Sequence, residues 1–299
     1  MNVSLSATGN QLPTDIVIEW TGRSDLVPVP RNLEFTVKLI DGVEKSLKAG
    51  VSVWSGRENL EYRIVKTDRA APMGEVQGKS AQQAMKVTCL LATCASIAMP
   101  LASPIIMSDT TFGAVYRACG AYASVGSDFV LPRFSCFKGK EPSFGLAQVL
   151  QEEGAALVLS SGVINAMRLV DMAKQTPKDD MGQIDPSAKI TSDFLQMQQI
   201  PTYYTVDDTA AVLSGPNQQA RQVAFRPGMD LRQLRNASSV LVRNKTIEST
   251  ICQQLQAGDV LTVGTENLIV VTAAHWFKNN EGAQESKSRL WLGSLVNAS

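Results

Sequence analysis

Residues 137–171 read FKGKEPSFGLAQVLQEEGAALVLSSGVINAMRLVD. Pro142-Ser143 suits the opening of a helix, because proline lacks the N–H that the first turn leaves unused. Phe144, Ala147, Val149 and Leu150 are the apolar positions of that helix. Gly154 can stop it, since glycine enters the left-handed conformation without a Cβ penalty. Ala155–Leu159 then reads as a strand and Ser160-Ser161-Gly162 as a turn. Ala166–Val170 returns either as a second strand or as a short helix, since its apolar run fits both. Upstream, Ser108 and Asp109 can cap a helix whose Phe112, Val115, Tyr116 and Cys119 recur at i, i+3, i+4 and i+7. Downstream, Gln175–Ala188 is rich in Pro, Gly and charge and reads as a linker or mobile loop.

The flanks have a different texture. Asp15–Trp20 and Leu33–Leu39 alternate apolar and polar residues, and Val51–Trp54 and Tyr62–Val65 continue the pattern. Thr21-Gly22, Asp41-Gly42 and Ser55-Gly56 are the expected breaks. In the last third, Ser239–Arg243, Asp259–Val263 and Leu268–Val271 are strand candidates, with turns at Gln256–Asp259 and Gly264–Asn267. The expected class is α+β and β-rich, with small β-barrel domains at both ends of a helix-containing centre. The expected divisions are residues 1–86, 87–190 and 191–299.

The 299 residues carry 28 basic and 28 acidic side chains, for a formal net charge of zero. A general polyanion binder needs a basic excess, so sequence-specific nucleic-acid binding is not expected. Cys89, Cys94, Cys119, Cys136 and Cys252 are odd in number and irregular in spacing, which fits buried thiols in a reducing cytoplasm. The stretch Val87–Met107 is low in charge, but Pro100 and Pro104 argue against a membrane span, so no membrane insertion is expected. The single histidine, His275, follows a strand candidate and reads as a strand-end packing residue. Glu152 and Glu153 are neighbours and lie about 100° apart on a helix, so they make no facing pair. Asp179-Asp180 and Asp207-Asp208 sit in loop-like contexts. No Walker-type or dinucleotide glycine pattern, serine elbow or metalloprotease motif occurs. Lys138-Gly139-Lys140 reads as a solvated turn. Arg221, Arg226, Arg232, Arg235 and Arg243 make the last third locally basic and read as a solvated surface. No catalytic residue, cofactor or metal is expected.

The central stretch resembles the hub family of contractile tails, which includes the phage late-control protein D type and the spike proteins of type VI secretion. Ser108–Gly120 is similar to that family's capped helix. Phe137 to Phe144 resembles its aromatic-polar-Glu-Ser lead into a second helix, which ends in Glu152-Glu153-Gly154 and is followed by a strand. Met167–Asp171 resembles the returning strand, which favours a hairpin over a helix there. The resemblance covers roughly residues 60–172 and departs from the pattern at Pro142 and Gly139. It implies that Phe137, Glu141, Ser143, Glu152, Glu153 and Gly154 are structural positions of the family motif. It further implies a homotrimer whose six β domains meet a sixfold tail tube. The implied partners are the tail tube protein, a spike protein and other baseplate proteins. The implied place is the virion tail baseplate, after assembly in the bacterial host cytoplasm. No long repetitive C-terminal segment occurs, so the expected spike is a separate chain. Two other classes remain open on the residues alone: a β-rich hydrolase with a scattered site, and a carbohydrate- or protein-binding module.

Overall fold

The computed structural model describes residues 2–40, 42–73, 82–182, 202–216, 223–250, 252, 254–280 and 283–296. The first third supplies β1 (Val3–Ser4), β2 (Val17–Asp25), β3 (Arg31–Lys38), the single turn α1 (Val43–Ser46), β4 (Ser52–Ser55), β5 (Leu60–Met73) and β6 (Gln82–Leu91). The centre holds a 3-10 helix (Ala92–Ala98), β7 (Ile105–Thr111), α2 (Phe112–Ala118), β8 (Ser124–Val125) and β9 (Val130–Cys136). It continues with α3 (Pro142–Glu152), β10 (Ala155–Ser160), β11 (Val163–Arg168) and α4 (Leu169–Met172). The remainder holds β12 (Asp179–Asp180), β13 (Thr202–Val206), β14 (Val212–Ser214), β15 (Val223–Phe225), α5 (Leu231–Ala237), β16 (Val240–Thr250), β17 (Val260–Val263), β18 (Glu266–Asn280) and β19 (Ala283–Val296).

The chain is β-rich, as its alternating patterns imply, but the two ends do not form separate small barrels. Eleven strands make one sheet in the order β1-β4-β5-β6-β3-β2-β18-β17-β12, with β19 beside β18 and β16 beyond it. Among the described residues no sheet closes on itself. β18 is the junction. One of its edges pairs with β19 from Ile269 to Asn280, and the other pairs first with β17 and then with β2, where Thr272 lies opposite Asp25. Polar side chains fix that seam: the Thr272 hydroxyl donates to Asp25 at 2.6 Å, and Arg23 closes on Asp25 at 2.7 Å. The expected break at Thr21-Gly22 is absent, and β2 runs straight through it. A glycine is used there for space, because a Cβ would come within 2.6 Å of the Trp20 indole.

The centre packs by helical spacing. Phe112, Val115, Tyr116 and Cys119 are all buried, as their periodicity requires. The cap of α2 is Thr111, whose hydroxyl accepts from the Ala114 N–H at 3.2 Å. Ser108 and Asp109 are instead in β7, where Ser108 pairs with Arg133 of β9 and Asp109 falls between two paired positions with a left-handed φ of +46°. The Tyr116 hydroxyl donates to the Pro28 carbonyl at 2.6 Å and ties α2 to the β2–β3 turn. In α3 the buried residues are Pro142, Leu146, Val149 and Leu150, while Phe144 and Ala147 face outward. β10 and β11 form the hairpin, with Ala155 opposite Arg168. The return strand is Val163–Arg168, and Leu169–Met172 turns helical.

The first part of the expected linker is docked. Asp179 and Asp180 pair in parallel with β17, and the Lys178 N–H donates to the Val260 carbonyl at 2.7 Å. Residues 183–188 of that segment lie outside the described residues, as does Arg221. Val87–Met107 divides among β6, the 3-10 helix and β7, and no described helix is long and apolar enough to cross a membrane.

Candidate functional site

At the end of α3, Glu153 occupies the C-cap and Gly154 takes a left-handed φ of +55°. A Cβ at Gly154 would lie 2.7 Å from the Asn236 carbonyl oxygen, so the position needs glycine for space as well as conformation. That close approach brings α5 against the end of α3. The Glu153 side chain, 0% exposed, is the centre of the contact. Its Oε1 accepts from Arg232 Nη2 at 2.9 Å and from Gln233 Nε2 at 3.4 Å. Its Oε2 accepts from Arg168 Nη2 at 3.1 Å and also from Arg232 Nη1. Arg168 Nη1 donates to the Glu153 backbone carbonyl at 2.6 Å. With the Asn236 amide oxygen turned toward the two arginines, it accepts from Arg168 at 2.9 Å and from Arg232 at 3.3 Å. The hydrogen bond to Glu153 holds the Arg232 guanidinium above its ordinary pKa.

A buried carboxylate is tolerable only when paired and hydrogen-bonded, and both oxygens of Glu153 are. It is therefore no free base. Its physical role is to weld the central hairpin to α5. The other quoted motif residues do not join it. Glu152 accepts a helix-surface bond from Gln148 at 2.8 Å. Glu141 is the N-cap of α3 without a side-chain bond, Ser143 is half-buried, and Phe137 and Phe144 are 66% and 75% exposed. The motif thus splits between the two ends of one helix. Sequence reasoning missed Arg168 and Gln233 and placed Arg232 on a solvated surface. The legible signal was Asp230 followed by Gln233 at the spacing of a capping box. That box forms: Asp230 accepts from the Gln233 N–H at 2.7 Å, and the Gln233 side chain accepts from the Asp230 N–H at 3.1 Å.

His275 is not at a strand end. It lies in the middle of β18, 4% exposed, opposite Gly22 on one side and Ser288 on the other. Its Nε2 is 3.0 Å from the Leu255 carbonyl, which can only accept, so Nε2 carries the proton. Its Nδ1 then accepts from the Ser288 hydroxyl at 2.8 Å, and Ser288 Oγ accepts from the Cys252 N–H at 2.8 Å. The network pins the segment before β17 onto the sheet. Burial lowers the His275 pKa and favours the neutral ring. The thiols are equally quiet. Burial pushes Cys89 and Cys119 up to about 12 and raises Cys94 and Cys136, so these sulfurs stay protonated at neutral pH. Among the described residues no three His, Cys, Asp or Glu side chains gather as metal ligands.

Beside His275 opens a cleft of about 440 Å³. Its walls come from the Ser55–Leu60 turn, the Ser160-Ser161 hairpin tip and the Gln254–Gln256 segment, over a floor that includes Trp20, Arg31 and Tyr62. Trp20 Nε1 donates to Ser55 Oγ at 2.8 Å, which fixes the indole.

No family model matches the sequence, and no curated protein does. Solved structures do match. The chain is similar to the tail protein from Neisseria meningitidis MC58 (TM-score 0.62, 11% identity), over 98% of this chain and 96% of that one. It is similar to the 43 kDa tail protein of prophage MuSo2 from Shewanella oneidensis (TM-score 0.59, 10% identity), over 99% and 97%. It is also similar to a chain of the Francisella PdpA–VgrG complex (TM-score 0.53, 9% identity), over 98% of this chain and 57% of that one. At these identities the likeness is one of architecture: the described residues share the fold of these tail proteins.

Proposed function

We propose that this chain is a non-enzymatic structural subunit of a phage-type tail, acting as the baseplate hub that joins the tail tube to the central spike and forms part of the channel. The observation that carries the proposal is the likeness to two tail proteins over nearly the whole of both chains. The likeness to a chain from a VgrG complex supports a spike-type partner. The site chemistry agrees, because Glu153, His275 and the buried thiols are each consumed by hydrogen bonds or burial. In this role the chain is a homotrimer. The β-rich regions 1–86 and 191–299 share one sheet through β18 in each chain, so three chains set six such regions, as three joined pairs, against a sixfold tube, and region 87–190 braces them. Phe137, Glu141, Ser143, Glu152, Glu153 and Gly154 serve as structural positions, with tube, spike and other baseplate proteins as neighbours. The working place is the virion tail baseplate, reached after assembly in the host cytoplasm.

The test is a mass measurement of the purified chain, alone and mixed with tail extract. Three copies in the assembled complex are expected, and an isolated monomer is compatible if the interface needs its neighbours. Two copies in the native assembly would rule the hub out.

A further inference from the structure

We propose that the cleft beside His275 is a carboxylate-binding site, with Arg31 and Arg57 holding the anion. The argument begins with Arg31. Its guanidinium is half-buried and makes one side-chain bond, to Gln256 Oε1, while its Nε is buried without any partner. Among the described residues no carboxylate pairs with Arg31 or with Arg57. A partly desolvated guanidinium without a counter-ion is costly, and an anion entering from the cleft offsets that cost.

The remaining charges define what fits. Lys178 also lines the cleft, but its ammonium is engaged by Asp259 at 3.0 Å and by the Gln254 carbonyl at 2.9 Å. His275 is neutral, and both of its nitrogens are occupied. Burial raises the Tyr62 hydroxyl to about 12, so it adds no negative charge. Glu58 is the acid on the wall. Two uncommitted guanidinium groups against one carboxylate leave one positive charge. That balance suits a monoanionic carboxylate better than a phosphate dianion. The planar guanidinium fork also matches the two oxygens of a carboxylate. Leu60, half-buried on the same wall, offers apolar surface to the carbon chain that carries the acid.

The carboxylate has two possible sources, an acidic side chain on another protein chain or a free small acid. Both are tested on the full-length purified chain by calorimetric titration at low salt. The probes are a hexaglutamate peptide, N-acetylglutamate and inorganic phosphate. At least one carboxylate probe is expected to bind, and phosphate to bind more weakly. Arg31→Gln and Arg57→Gln are each expected to weaken the carboxylate by about tenfold, the scale of one lost charge-assisted hydrogen bond. Arg57 is exposed, so its variant keeps the test decisive if Arg31→Gln fails to fold. Tighter binding of the peptide than of N-acetylglutamate identifies a protein chain as the source, and equal or weaker binding identifies a free acid. Absence of binding by both carboxylates, binding unchanged in Arg57→Gln, or phosphate binding the tightest would overturn the proposal. The site stands on one chain's residues, so its failure would leave the trimer untouched.

Discussion

Two arginines and a glutamine converge on the buried carboxylate of Glu153. Arg168 is fifteen residues away along the chain and Arg232 is seventy-nine. Glu153→Gln is expected to cost about 3 kcal/mol in urea unfolding at neutral pH, near the lower end for breaking a buried ion pair because Arg232 can rehydrate. Gly154 was legible, since the left-handed stop needs no distant partner. Its second role against Asn236 was not. Gly154→Val is therefore expected to lose more than the roughly 1 kcal/mol of conformational cost. Gly139→Ala, at a φ of +78° with open space around it, should lose only that cost. His275 carries the pH dependence. Unfolded, it takes up a proton near its ordinary 6.5, whereas burial keeps the folded ring neutral to lower pH. Its contribution to stability is thus full above about 6.5 and falls as pH drops toward the folded pKa. Urea midpoints at pH 7.5 and 5.5 should show that fall in the wild type and a smaller one in His275→Gln. As the chain's single histidine, it gives one imidazole signal by NMR, which should report the Nε2–H tautomer.

Elements were legible where one face is decided locally. The helical spacing of Phe112, Val115, Tyr116 and Cys119 located α2, and the Gly264-Thr265 turn located the β17–β18 hairpin. Elements decided by distant partners were not. β2 continues through Thr21-Gly22 because β3 and β18 pair with both of its edges. Phe144 turns outward because Leu146, Val149 and Leu150 already fill the inner face of α3. α5 is only seven residues long, too short to hold by itself, so its capping box and the Glu153 contact carry it. Asp230→Ala removes the cap and is expected to cost about 1 kcal/mol. If α5 and the Glu153 cluster form one unit, the same change in a Glu153→Gln background should cost less, which a double-mutant cycle measures.

For the whole molecule, the β-rich class was legible in the sequence texture, and the pairing of strands across the chain was not. Alternation marks a half-buried strand but carries no address for its neighbour. The ends of the chain therefore read as two separate β units, although β18 joins them in one sheet. At this scale the expected outcome is three copies per assembled complex, read by sedimentation or native mass spectrometry. The junction also has a consequence for biosynthesis. The edge of β2 that faces β18 has its mate at Thr272, on the order of 250 residues later. At ribosomal speeds of about 5–20 residues per second, that edge waits roughly 12 to 50 seconds for its partner to be translated. During this time the nascent N-terminal sheet exposes a strand edge to any other chain that can pair with it. A polysome loaded with this message thus presents many such edges side by side, and chaperone demand should peak before β18 is made.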